Sequence, residues 1–456
     1  MTHLSRPNPA AAVVLSLCLS ILALTAGGCR TAKQKSAELA SFDSRIVPLL
    51  EGAGKTIGDA PLAAFGECSH FLLTLHEFSN DLFRYLVEEK GFRVFMLESA
   101  WAINDYLTEF IKSDRPEIEP WMGFYLNAFD SAPTRKTLLY IRDFNKRHPD
   151  DPIQIAGMQP EQPWTDYREL NAVLVRAGLE LPRDIATLIE RAVFGGKTFT
   201  NDIEVIGYHG GLSRQKKRSV SDEDQAAFTP ALDRLDAFLA KNAEIMTGAT
   251  SRAEFEEAKL RVLGLRFYAL VVLPMRDFGI VYEKPDAAQI EALTHYAYQT
   301  GDAFRFEIIK TQRETRFKGK KIFIWMHTWH AAKESEKYVC TISGQPPKGT
   351  TSVGARLFRE YGSRYKVIHS VVAVPDFAYP AGVVTIDNAF YRLFGSTPAY
   401  VDLHRLTPRD QTLSLDVLLP QFSQIDNEYG GGLVLKDQYD GIAYFPSSEL
   451  TVKRGK

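Results

Sequence analysis

The chemistry-bearing residues of this chain lie at the ends of apolar runs. Phe65-Gly66-Glu67-Cys68-Ser69-His70 places a carboxylate three residues before an imidazole, directly after one such run. A carboxylate so placed can fix the tautomer of the ring and raise its basicity, which suits the histidine to deprotonating water. The alternative is a structural pair at a helix start, with Ser69 as the N-cap. Glu98, 28 positions after His70, ends a second apolar run. A carboxylate there must be paired, hydrogen-bonded or protonated, because an isolated buried charge costs several kcal/mol.

A third run, Ile322-Phe323-Ile324-Trp325-Met326-His327-Thr328-Trp329-His330, carries two histidines. Side chains alternate along a strand, so a spacing of three cannot put both on one face. If the strand ends at His327 and the chain turns, both reach one pocket; otherwise one is a core and the other a surface histidine. Trp325 and Trp329, two of five tryptophans, are candidate walls of an apolar substrate site. Arg276-Asp277 offers either an oxyanion-stabilising arginine beside a substrate-binding aspartate, or a structural ion pair. Glu67, His70, Glu98, His327 and His330 are also a chemically suitable ligand set for zinc or another divalent metal, although no His-Glu-x-x-His occurs.

To bring these groups together, the chain needs strands that end at one crevice. Short, continuously apolar segments at 62–65, 94–97, 153–156, 322–325, 367–374, 383–386 and 442–445 predict strands covered on both faces. Helical spacing is read at 77–89, with Gly91 as its stop, and at 102–112, 132–146, 226–241, 252–272 and 287–313. The expected fold is α/β, a central mostly parallel sheet flanked by helices. Residues 165–315 are almost wholly helical in pattern and are read as an insertion or lid on that core.

The 456 residues, 45% hydrophobic and 24% charged, suffice for a large buried core. A formal net charge of -2 gives no general basis for nucleic-acid binding, and the basic run 214–218 is read as a solvated surface. Ala10 to Ala26 is an uncharged apolar run of 17 residues after Arg6, followed by Gly27-Gly28-Cys29. That layout predicts a secretory signal over 1–28. Cys29 resembles the lipidated first residue of a bacterial lipoprotein, with 29–44 as a tether. The protein is thus expected to be exported and lipid-anchored to a bacterial membrane, on its periplasmic or cell-surface side. Outside the leader and anchor only Cys68 and Cys340 remain; nothing in the sequence decides whether they pair. Cys68 is read as a small buried residue beside the site or as a catalytic thiol.

Taken in order, several motifs resemble the erythromycin esterase family over roughly 45–450. They are Gly66-Glu67-x-Ser69-His70, Leu86-Val87-Glu88-Glu89-x-Gly91-Phe92, Glu98, Arg276-Asp277, Trp325-x-His327-x-x-His330 and Gly354-x-x-Leu357…Tyr361-Gly362-x-x-Tyr365. The resemblance implies an α/β core with helical excursions and metal-independent hydrolysis of a lactone. It makes His70 the general base, Glu67 and Glu98 its orienting carboxylates, and His327 and His330 neighbours of the substrate carbonyl. The chain departs from the family pattern at Phe71, Thr74 and Ser79, at Thr328, and at Gly157-Met158-Gln159.

The function expected is hydrolysis of a small-molecule ester or lactone by activated water, without a cofactor. The chain has no Gly-x-Ser-x-Gly elbow to supply a serine nucleophile. Two alternatives stay open: a metal-dependent hydrolase using the same five residues, and a lipid-anchored binding protein with a degenerate esterase pocket.

Overall fold

A computed structural model describes residues 42–101, 103–114, 126–160, 162–199, 204–205, 220–274, 287–337, 349–373, 386–405 and 435–448. The chain divides into two compact units, Met1–Pro48 and Leu49–Lys456. The described end of the first holds a local ion pair between Arg45 and Asp43. The presumed signal, Cys29 and nearly all of the tether lie outside the described residues. No helix among the described residues is long and apolar enough to cross a membrane.

The second unit is built on a seven-stranded sheet. Its strands are β1 (Leu62–Glu67), β2 (Phe92–Ala100), β3 (Gln154–Gln159), β4 (Lys321–His327), β5 (Tyr365–Val372), β6 (Ala399–Asp402) and β7 (Gly441–Phe445). They lie in the order β3-β2-β4-β1-β5-β7-β6. All pairings are parallel except that of β6 with β7. Every residue of β1 and β7 is buried, as a strand covered on both faces requires. On one face Leu62, Ala64, Ile322 and Ile324 join a core with Ile309 and Leu357. On the other, Phe95 stacks on Phe83, with centroids 4.4 Å apart, and continues onto Phe323 at 6.1 Å.

Six of the seven expected strands and every expected helix are present, with ends shifted by a few residues. The main helices are α1 (Val47–Ile57), α2 (Leu73–Lys90), α3 (Ile103–Lys112) and α4 (Ala132–Arg147). Gly91 ends α2 with φ 71°, the left-handed conformation that glycine adopts without a Cβ penalty. Ser69 is not the cap of that helix. The helix begins at Leu73, its N-cap Leu72 makes no side-chain cap bond, and the Ser69 hydroxyl instead accepts from the Phe71 amide at 3.4 Å. The strand expected at 383–386 falls largely outside the described residues, and Ile386 itself opens a helix, Ile386–Phe394. The sequence pattern also missed β6, a four-residue edge strand too short to show a period.

Between β3 and β4 the described chain is helical, as expected. It comprises α5 (Pro163–Arg176), α6 (Arg183–Phe194), α7 (Asp222–Lys241), α8 (Ala243–Ala249), α9 (Arg252–Phe267) and α10 (Ala287–Glu314). The helix expected over 252–272 turns from α to π geometry at Tyr268–Val272. The insertion gathers its own apolar cluster around residues such as Leu174, Ile189, Leu232 and Leu265.

After β4 the chain makes one short turn of helix, α11 (Thr328–Ala331), and later α12 (Val353–Tyr361). Close backbone packing explains two glycines in this region. A Cβ on Gly66 would lie 3.0 Å from Thr328 Cα, and one on Gly354 only 2.3 Å from the Ala331 carbonyl oxygen. Gly354→Ala should therefore push α12 off the turn that carries His330, costing about 1–3 kcal/mol. Urea unfolding measures this, and an unchanged midpoint would contradict the packing argument.

Candidate functional site

Strand order assembles the site. β4 lies between β1 and β2, with Glu67 opposite His327 and Leu97 opposite Trp325 in register. Glu67, Glu98 and His327, scattered over 261 positions, thus end three adjacent parallel strands, where open sheets bind ligands. The His70 and His327 rings lie 5.5 Å apart between centroids, and those of His327 and His330 6.4 Å. β4 does end at His327 and the chain does turn there, so the three-residue spacing delivers both histidines to one place.

Glu67 is fully buried, and both of its oxygens are engaged. Oε1 accepts from His70 Nδ1 at 2.5 Å and Oε2 from the Trp325 indole at 2.8 Å. A carboxylate only accepts, so the His70 proton sits on Nδ1 and Nε2 is the ring's basic nitrogen. The His70 side chain keeps 28% of its exposure. Its loop is held from behind by His76, whose Nε2 donates to the His70 carbonyl at 2.8 Å while Nδ1 accepts from Ser131 at 2.9 Å. Burial holds the His76 ring below the ordinary histidine range, although the Glu67 charge opposes this. Phe129 stands 5.5 Å from the His70 ring and 4.7 Å from Trp325.

Glu98 is organised the same way on β2, across β4 from β1. Its Oε2 accepts the His327 backbone N–H at 2.7 Å; its Oε1 accepts from Gln159 at 3.3 Å and lies 3.3 Å from His330 Nε2. The other nitrogen of His330 bonds Asp302 at 2.9 Å. Asp302 is itself buried and also accepts from the Val353 amide at 2.8 Å and from Arg305 at 2.5 Å. Burial alone would raise the Glu98 carboxyl. The positive fields of His330, His70 and Arg305 and the His327 amide outweigh it and hold the group at about 2. Asp302 is likewise lowered, against its own burial, by His330 and Arg305.

On β5 a further histidine was not foreseen. His369 Nδ1 lies 2.6 Å from the Thr328 hydroxyl, which donates to the Tyr439 hydroxyl at 3.1 Å. Burial, joined by the His327 charge and opposed by a bond to the Gly66 backbone, pushes His369 down to about 3. It is therefore a neutral ring that locks the turn under His327.

Two expectations about this site are corrected. Trp325 and Trp329 are 0% and 1% exposed, so they do not wall an open pocket; Trp325 pins Glu67 and Trp329 packs in the core beside Tyr298 at 5.2 Å. His330 is 6% exposed and lies between two carboxylates, which puts it behind His327 and not at its side. Arg276, Asp277 and Cys340 lie outside the described residues, and with them any pairing of Cys68 with Cys340. Among the described residues no group of three His, Cys, Asp or Glu side chains is placed to hold a metal ion. Glu67 bonds His70 and Trp325, while Glu98 and His330 face each other at 3.3 Å.

A carboxylate held below its unfolded value stabilises the fold above that value and loses the contribution as pH falls through the folded one. For Glu98, ordinarily near 4.5 and here about 2, the window runs from about pH 4.5 down to 2 and the contribution is about 3 kcal/mol. Thermal melts across that range should show stability falling with acid, and Glu98→Gln should flatten the slope while lowering stability at neutral pH. An identical acid slope in the variant would show that the carboxylate is not held this way.

The sequence matches the erythromycin esterase family over residues 87–448, a span that contains Glu98, His327 and His330. An erythromycin esterase type II of Escherichia coli is 31% identical over 93 residues, spanning 20% of this chain and 22% of that one. A Bacillus cereus protein of solved structure superposes with a TM-score of 0.63 at 16% identity, covering 90% of this chain and 93% of that chain. A structure titled succinoglycan biosynthesis protein gives 0.60 at 16% identity, covering 88% and 91%. A mutant of the erythromycin esterase EreC in its open conformation gives 0.61 at 14% identity, covering 89% and 95%. At these identities the structural likeness speaks for the fold, while the sequence match, across most of the chain, makes this protein a member of the erythromycin esterase family.

Proposed function

We propose that the protein hydrolyses an ester or lactone with water activated by His70. The observation that carries this is the Glu67–His70 contact of 2.5 Å, made by a fully buried carboxylate and a ring that keeps partial exposure. The buried charge keeps the proton on Nδ1 and turns Nε2 into the acceptor for a proton from water. As that proton arrives, the imidazolium forms beside a carboxylate already in place, so no group must reorganise. The hydroxide then adds to the carbonyl carbon and forms the tetrahedral oxyanion. His327, 5.5 Å away between ring centroids, is the nearest candidate to steady that oxygen. Arg276 is proposed for the same task and Asp277 for substrate contact, from their order in the sequence. Collapse of the intermediate expels the alcohol, which recovers the proton from His70.

Glu98 has a different part. Its acceptance of the His327 N–H sets the backbone at the end of β4, and the His330–Asp302 pair holds that carboxylate in place. We place the protein outside the cytoplasm, lipid-anchored through Cys29, on the strength of the apolar leader; Cys29→Ser should release it from the membrane fraction, and retention there would remove the anchor.

His70→Ala should keep the fold and lose about 10²–10⁴-fold in ester turnover. Glu67→Gln should lose a smaller factor, since the ring remains. Turnover retained in the His70 variant would end this reading. Activity of the parent should survive exhaustive chelation; loss on chelation with recovery on added zinc would make the five residues metal ligands instead.

A further inference from the structure

Asp166 on α5 and Arg261 on α9 form an ion pair at the root of the helical insertion, with Arg261 Nη1 3.4 Å from Asp166 Oδ1. Their exposures are 0% and 2%. Both address one residue of the sheet, Trp101, which follows β2 directly and comes three positions after Glu98. The Asp166 carboxylate accepts the Trp101 indole N–H at 2.9 Å. The Arg261 guanidinium lies over the ring, 3.8 Å from its centroid, and its other arm reaches Glu257 at 3.1 Å. Gly264 leaves just enough room for this packing: a Cβ there would stand 2.1 Å from Asp166 Oδ2.

From Trp101 the path to the site is short. Its backbone N–H donates to the Gln159 carbonyl at 2.9 Å, and the Gln159 side chain donates to Glu98 Oε1 at 3.3 Å. The insertion thus grips the ends of β2 and β3 at the point that orients Glu98. Stability alone gives little reason to keep a buried ion pair here, since well-packed apolar residues of similar volume often replace such pairs at no cost. Position gives a better one: a planar guanidinium on an indole face and a carboxylate on its N–H fix the ring in both rotation and tilt.

We infer that Asp166 and Arg261 are positioning residues that act through Trp101 and Gln159 to set the Glu98 carboxylate, and through it the end of β4 that carries His327. Its catalytic consequence rests on the hydrolase reading above; its structural content does not. The anchor also makes the helical insertion part of the site's framework.

The test replaces the pair by apolar residues, Asp166→Leu with Arg261→Met, and reads two quantities. One is hydrogen exchange at the His327 amide, whose protection reports where the Glu98 carboxylate stands. The other is the kcat and KM of ester hydrolysis. The expected result is a double variant that unfolds near the parent's temperature, exchanges the His327 amide at least tenfold faster, and loses on the order of a hundredfold in kcat with little change in KM. Unaltered exchange at His327 in a folded variant would overturn the inference, as would full kcat. If the double variant does not fold, Trp101→Phe removes the indole donor while keeping an aromatic face under Arg261, and the same exchange measurement decides. A parent without turnover on any ester would count against the hydrolase reading, while His327 exchange would still settle the anchor.

Discussion

Two carboxylates buried at the ends of β1 and β2, on either side of β4, set the terms for everything around them. Glu67 and Glu98 are 0% and 5% exposed, and a buried charge must be met by donors or it will not stay charged. Glu67 takes the Trp325 indole and the His70 ring; Glu98 takes the His327 amide, Gln159 and His330. Those donors come from three segments of the chain: the loop after β1, the end of β3, and the end of β4 with its turn. Satisfying the charges therefore ties β1, β2, β3 and β4 together at one edge, and leaves the His70 imidazole where water can meet it.

The donors themselves need support, and the support is ionic. His330 is held by Asp302, which is held by Arg305 and the first turn of α12. On the far side His369, Thr328 and Tyr439 lock the turn from below. The half-exposed pair His70 and His327 thus sits on a rigid polar platform. Orientation fixed in advance is what such a site gains, because little reorganisation is left for the moment of reaction.

Much of this was legible in the sequence, for identifiable reasons. Buried parallel strands announce themselves as unbroken apolar runs, and a carboxylate or histidine that ends one stands out against them. Glu67, His70, Glu98, His327 and His330 were found that way. Asp302 and Arg305 were not, because a charged pair three apart on a long helix reads as solvated surface until a neighbouring element covers it. His369 was hidden inside its own apolar run, and Gln159 was noticed only as a departure from the family pattern. Trp325 and Trp329 were assigned to a pocket wall on residue type alone; the sheet buries both, and the indole of Trp325 serves the carboxylate. The helical nature of the described residues between β3 and β4 was plain from their spacing, whereas the grip on Trp101 depends on contacts with residues 65 and 160 positions away.

The account turns on the proton shared by Glu67 and His70. Long-range ¹H–¹⁵N correlation spectra of protein labelled at histidine report directly which ring nitrogen carries it. The neutral His70 ring should show its proton on Nδ1, with Nε2 as the bare acceptor, and should lose that preference in Glu67→Gln. A neutral His70 protonated on Nε2 in the unaltered protein would leave water nothing to give its proton to, and would contradict the account at its centre.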